Sequence, residues 1–377
     1  MKKNLMILLL ILGFANPAAQ NSISSIDSTT SKIFPVEILT QIELKSSLGA
    51  APIFAANKIY TSEKSGLVSC FDSTGVMFWN RQLSSEIFSE PIVSDGQLAA
   101  GTSNGDIVSI IAFTGDQIQS IGIDDSITTN LVALEYKGDK ELFLPKQSDS
   151  KTAIIFGTKS GTIYCLDLET LQEYWRNNDS RGSVISQPVI VENKILFSGT
   201  DGYLYSIDAR NGLLNWRWKE TAETDFSNAL IVCDGKKVFL VSKDLQLYCI
   251  DFLLGKLNWK VDKIKILPAI GLSHNGKDLF TKTLDKRFFI ISAEKGSVLR
   301  QTKREDEFDS TLISPFESDG KIYFTNKNSI FALDKKFKEE VILELGENLI
   351  HSFQLIGDNK FLVSTTGGTI LIFKPRK

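Results

Sequence analysis

The feature that most constrains this chain is that it repeats itself. The stretch "LYSIDARNGLLNWRWK" (Leu204–Lys219) returns as "LYCIDFLLGKLNWKVD" (Leu247–Asp262) and as "IYCLDLETLQEYWRNN" (Ile163–Asn178). Aligned on the aspartate in the middle of the motif, eight copies fall at Asp72, Ile111, Asp167, Asp208, Asp251, Ser292, Asp334 and Lys374. Their separations are 39, 56, 41, 43, 41, 42 and 40 residues. A period near 41 belongs to repeat architectures, in which one unit cannot bury its faces alone and the chain stacks copies until it can. The one long interval marks an insertion between copies two and three, placed within Tyr136–Lys151.

The column one residue before the marker holds Phe71, Ile110, Leu166, Ile207, Ile250, Ile291, Leu333 and Phe373. The column four before holds Val68, Ile107, Ile163, Leu204, Leu247, Phe288, Ile330 and Ile370. In a strand these positions point to opposite faces, so the strand is buried on both sides. An antiparallel sandwich would leave one face wet, whereas sheets stacked face to face around an axis would not. The fold class is therefore all-β: an eight-bladed β-propeller of four-stranded antiparallel blades. The last copy stops three residues past Lys374 and lacks an outer strand. Phe34–Leu44, which precedes the first blade and has no other partner, is the segment that completes it and closes the ring, removing an exposed edge.

Six residues before each marker stands a turn position, filled by Gly66, Gly105, Gly161, Gly202, Leu245, Lys286, Asn328 and Gly368. Pairs such as Asn104-Gly105 and Asp201-Gly202 predict two-residue hairpins with positive φ at both central residues. Leu245 and Lys286 break that chemistry and predict a longer or different turn. Beyond the marker comes an outer aromatic position, Trp79, Trp175, Trp216 and Trp259, replaced by Gln119, Arg300 and Ile342 in copies two, six and seven. Trp218 has no place in the repeat.

The chain opens with Lys2 and Lys3, an apolar run from Leu5 to Phe14, and small residues around Ala15, Ala18 and Ala19. This is the pattern of a secretory signal peptide, and the run is too short to span a membrane. The domain reading is residues 1–19 signal peptide, 20–33 short linker and 34–377 a single propeller domain. No cysteine stands at the cleavage point, so lipid anchoring is not supported; the first is Cys70. Forty-five acidic against forty-two basic residues give a formal charge of −3, which provides no field for nucleic acid or an anionic membrane. Cys70, Cys165 and Cys249 share one column on non-adjacent blades, and a strand should separate Cys233 from Cys249. All four are expected to be free thiols despite export.

The stretch "SGTDGYLYSIDARNGLLNW" (Ser198–Trp216) resembles the tryptophan-docking repeat of the pyrroloquinoline-quinone propeller family, and the resemblance covers essentially everything after the signal peptide. That resemblance implies one of two functions. The family includes large dehydrogenases that hold the quinone and a calcium ion on the axis. It also includes smaller non-catalytic propellers, typified by the scaffold of outer-membrane β-barrel assembly. Many of the dehydrogenases carry adjacent paired cysteines and long inserts that roof the cofactor; here no two cysteines are adjacent and eight blades use nearly the whole chain. The expectation is an exported, periplasmic or extracytoplasmic, non-enzymatic scaffold, a monomer within a complex, with protein partners in the cell envelope and no cofactor or metal. The alternatives are a quinone-dependent dehydrogenase of reduced size and a glycan- or peptide-binding propeller.

Candidate chemistry is sparse. The recurring aspartates sit once per blade at a strand end, which suits hydrogen bonding to turn amides better than a convergent metal site. His274 and His351 are the only histidines, too few for a typical zinc site and without a nucleophile beside them. Asp285 and Asp309 read as loop acids, and the charged run Thr302–Asp309 as a solvated loop. The candidate partner contact is Leu142, Phe143 and Leu144, an apolar triplet among charges in the insertion.

Overall fold

The computed structural model describes residues 36–135 and 152–376. The signal-peptide and linker segments and the insertion lie outside the described residues. Among the described residues, thirty-two strands form eight antiparallel sheets of four. Seven sheets use four consecutive strands. The eighth combines Ile350–Leu355, Phe361–Thr365 and Thr369–Pro375 with Val36–Glu43 from the other end of the chain. Val36 lies opposite Pro375 and Glu43 opposite Thr369, with a register break between Ile38 and Thr40. This is the closure that the missing outer strand requires.

There is no single core. The buried apolar residues divide into eight clusters, each shared by two neighbouring blades. Every cluster contains the residue four before the marker of one blade and the residue one before the marker of the next. Val68 meets Ile110, Leu204 meets Ile250, Phe288 meets Leu333, and across the closure Ile370 meets Phe71. All sixteen residues of the two columns are at most 3% exposed. Each side chain of this size contributes about 1.5–3 kcal/mol on burial, so adhesion between blades is the main source of the fold's stability.

Tryptophan docking links the rims. Trp79 Nε1 donates to Ala112 O (3.1 Å), Trp175 Nε1 to Ala209 O (3.2 Å) and Trp216 Nε1 to Phe252 O (3.1 Å), each in the following blade. Trp259 packs in the same way, but its Nε1 is buried without a partner. Where tryptophan is lost, polar side chains keep the link: Gln119 Nε2 donates to Glu169 O (2.5 Å) and Arg300 Nη1 to Lys335 O (3.0 Å). In blade seven the register places Glu340, not Ile342, opposite Ala332, because the preceding turn is one residue shorter than in blade five and the bulge falls further along, between Ile330 and Phe331; Ile342 turns inward and is 1% exposed. Trp218 packs its ring 5.8 Å from those of Phe226 and Tyr248, between blades four and five.

The hairpin reading needs correction. Gly105 N donates to Thr102 O (3.0 Å) and Thr102 N to Asp106 O (2.9 Å), a three-residue loop in which only Gly105 (φ +89°) is left-handed. That geometry is a type I turn followed by one left-handed residue, and its twist suits the flanking strands as well as a two-residue loop does. The same bonding recurs at Ser242/Leu245, and Lys286 N likewise donates to Thr283 O, so these blades keep the common turn with Leu245 (φ 65°) and Lys286 (φ 66°) in the left-handed region. Blade seven departs instead: Asn326 pairs directly with Ser329, leaving a two-residue loop with Lys327 at φ 53°.

Candidate functional site

Because strands alternate in direction, the turns joining first to second and third to fourth strands lie on one face of the ring. The other turns and the inter-blade connections lie on the opposite face. Val132–Glu135 and Thr152–Gly157 are the first and second strands of blade three, so the insertion is attached to the first of these faces. Leu142, Phe143 and Leu144 themselves lie outside the described residues.

The repeated aspartates are turn acceptors. Asp251 Oδ1 accepts Leu253 N (3.0 Å) and Leu254 N (2.7 Å), and Asp334 Oδ1 accepts Lys336 N and Lys338 N (both 2.8 Å). The amide of Lys338 foremost holds the Asp334 carboxyl below its usual range, and the Thr74 hydroxyl does the same for Asp72. Among the described residues no group of three or more His, Cys, Asp or Glu side chains is placed to hold a metal ion. His274 is exposed, with Nδ1 3.8 Å from Glu317, while burial lowers the affinity of His351 for its proton. None of Cys70, Cys165, Cys233 and Cys249 is in a disulfide, and Cys70, Cys165 and Cys249 are buried. The strand Lys237–Val241 separates Cys233 from Cys249, as the register required.

Sequence reasoning missed a buried ionic cluster between blades six and seven. Lys282, with a fully buried side chain, places Nζ 2.8 Å from Asp309 Oδ1 and 3.3 Å from Thr325 O. Burial depresses the Lys282 ammonium, and Asp309 opposes that shift. Asp309 Oδ2 also accepts Lys327 N (2.7 Å). Close by, Arg304 pairs with Glu339 at 2.5 Å and lies 4.1 Å from the centre of the Phe331 ring. Thus Asp309 is not an ordinary loop acid, and Thr302–Asp309 is only partly solvated: Arg304, Phe308 and Asp309 turn inward while Glu305–Glu307 face water. Asp285 does behave as a loop acid, its carboxyl held low chiefly by Arg287. The available signal was register. Lys282 occupies a strand position that holds Ser62, Gly101, Gly157 and Ser198 in the first four blades, so a lysine there has to be buried and paired.

Two surface features remain. On the rim of blades one and two, Phe78 and Phe113 are 52% and 66% exposed, with ring centres 6.4 Å apart. Lys58 Nζ stands 3.7 Å from the first ring centre and 5.1 Å from the second. On blades five and six, a cavity of about 770 Å³ is lined by Asp234, Lys236, Lys237, His274, Lys277 and Glu294. Its charges are mixed, and Lys237 is already engaged with Glu294.

Blades closed into a ring by the N-terminal strand and fastened by tryptophan docking define a class, the eight-bladed propellers with quinoprotein-like repeats. Within it, the chain belongs to the family described as outer membrane protein assembly factor BamB, whose sequence model matches residues 20–120 and 143–341. The BamB of Salmonella typhimurium (strain LT2) is 21% identical over 299 residues, 76% of this chain and 71% of that one. The crystal structure of BamB from Moraxella catarrhalis superposes with a TM-score of 0.69 at 16% identity, covering 90% of this chain and 97% of the other. That of Saccharomyces cerevisiae Sqt1 superposes with a TM-score of 0.71 at 12% identity, covering 90% and 99%. Structural likeness at these identities therefore establishes the fold, and the sequence match establishes the family.

Proposed function

We propose that this chain is an exported, non-enzymatic scaffold of the cell envelope that works in outer-membrane protein assembly by rigid display of its loops and ring face to protein partners. The observation that carries the reading is the match to the assembly-factor family across residues 20–120 and 143–341. The charged start, apolar run and small-residue end of residues 1–19 support export, with cleavage before the linker. The aspartates and tryptophans that recur through the repeat are occupied in turns and blade contacts, so the repeat itself builds the ring rather than a reaction centre. We assign the partner contact to Leu142, Phe143 and Leu144, the apolar triplet of the one segment that breaks the period.

The test is expression of the full chain with an affinity tag, followed by fractionation, cross-linking and capture from envelope extracts. The expected result is a chain shortened by its leader, recovered outside the cytoplasm together with components of outer-membrane assembly. Replacing Leu142, Phe143 and Leu144 by serine should reduce that capture without changing the melting temperature. Alcohol or sugar oxidation on addition of the quinone and calcium, above a cofactor-only control, would overturn the non-enzymatic reading.

A further inference from the structure

Each blade ends in an outermost strand whose outer side presents backbone N–H and C=O groups to solvent, a template for pairing that natural proteins blunt with charges or proline. Seven of the eight outermost strands here contain a charged residue, from Glu37 in the closing strand and Arg81 in blade one to Glu340 in blade seven. The exception is Gln117–Gly122 of blade two, "QIQSIG", which has neither charge nor proline. Its bulge between Gln117 and Gln119 does not set it apart, since the register shifts in the outer pair of every blade. Gln117, Ile118, Ser120 and Gly122 are exposed, while Gln119 is fixed to blade three through Glu169 O. The neutral edge is bracketed by acids: Asp116, whose side chain is 71% exposed although its Oδ1 stands 4.0 Å from Arg81 of blade one, directly before it, and the exposed Asp124 just after. Ile118 and Phe113, 45% and 66% exposed, offer apolar contact beside it.

We propose that this edge accepts an extended polypeptide segment as a fifth strand of blade two. The segment it fits is about six residues long and uncharged, with alternating apolar side chains and a lysine or arginine at each end to meet Asp116 and Asp124. Main-chain hydrogen bonds supply the affinity, and the acidic brackets select basic flanks. The other seven rims exclude the same segment because a charged side chain stands on each. This site goes beyond the scaffold reading and does not depend on it.

The test uses the purified full chain and a fluorescein-labelled peptide, Lys-Val-Thr-Val-Thr-Val-Thr-Lys, followed by fluorescence anisotropy. The wild-type chain should bind it. Ser120→Lys, which puts a charge on the edge, should weaken binding by about tenfold or more, with near-ultraviolet dichroism unchanged. Asp116→Asn combined with Asp124→Asn should weaken it several-fold at low salt and make little difference at about 1 M salt. A peptide with proline in place of two central residues should lose binding, because proline cannot donate to the ladder. Absence of binding to the wild type, equal binding by Ser120→Lys, or equal binding of the proline peptide would each overturn the proposal. So would sedimentation showing that the edge pairs with a second copy of the chain and excludes the peptide. Envelope capture is read separately on the wild-type chain, so failure of either test leaves the other reading standing.

Discussion

A Cβ built on Gly212 would lie 2.4 Å from the Trp175 ring, and Gly212 has φ +71°. One residue thus supplies both a backbone conformation and a space that the neighbouring blade needs. The pairs Gly115 with Trp79, Gly255 with Trp216 and Gly296 with Trp259 repeat the contact. Gly212→Ala should cost about 2–4 kcal/mol, combining left-handed strain with displacement of the ring. Urea unfolding of the variant checks this, and a midpoint equal to wild type would refute the docking account.

Lys282 and Asp309 make the opposite kind of contact, favourable only while both partners are present. Asp309→Ala leaves a buried ammonium uncompensated and should lose about 3–5 kcal/mol. Lys282→Met combined with Asp309→Asn should recover most of that loss. If Asp309→Ala and the double variant unfold at the same denaturant concentration, the pair is not coupled as its geometry indicates.

Leu245 and Lys286 hold left-handed positions where four earlier blades use glycine. Leu245→Gly and Lys286→Gly should therefore stabilise the protein, each by about 0.5–1 kcal/mol, because the strain removed exceeds the flexibility gained. Additive rises in the urea midpoint would confirm it, and a fall in either variant would mean that side-chain contacts outweigh the strain.

The thiols predict the alkaline limit of stability. Burial raises Cys249 to about 11 and Cys233 to about 12, from an ordinary 9.0. Unfolded chains ionise these groups first, so their contribution is complete below pH 9 and fades as pH rises through 9–12. The melting temperature should decline across that window, less steeply in Cys233→Ala. Alkylation of unreduced protein should label four cysteines after unfolding and no buried one before it.

The architecture was legible because the repeat writes the same burial pattern eight times, and columns such as Leu204 and Ile207 have one meaning in every copy. Strand closure was legible for a related reason: counting strands left blade eight one short. The turns were less so. Asn104-Gly105 has the composition of a two-residue loop, and only the bonding between Thr102 and Asp106 shows a third residue in it. Lys282 escaped notice because burial of a charged residue depends on a partner 27 positions away, in a segment whose composition resembles a solvated loop. The neutral rim of blade two emerges only when the eight outermost strands are placed side by side.

The closing strand also sets an order of events. Val36–Glu43 is synthesised long before its mate Thr369–Pro375, and Thr369 Oγ1 reaches Glu43 Oε2 across 326 positions. Until then both strands wait with unsatisfied backbone groups, and the first and eighth blades cannot share their apolar cluster. Contacts so distant in sequence are slow to form. The latch therefore shuts only once Thr369–Pro375 has been made, and during that interval this chain depends most on whatever keeps other strands from its edges.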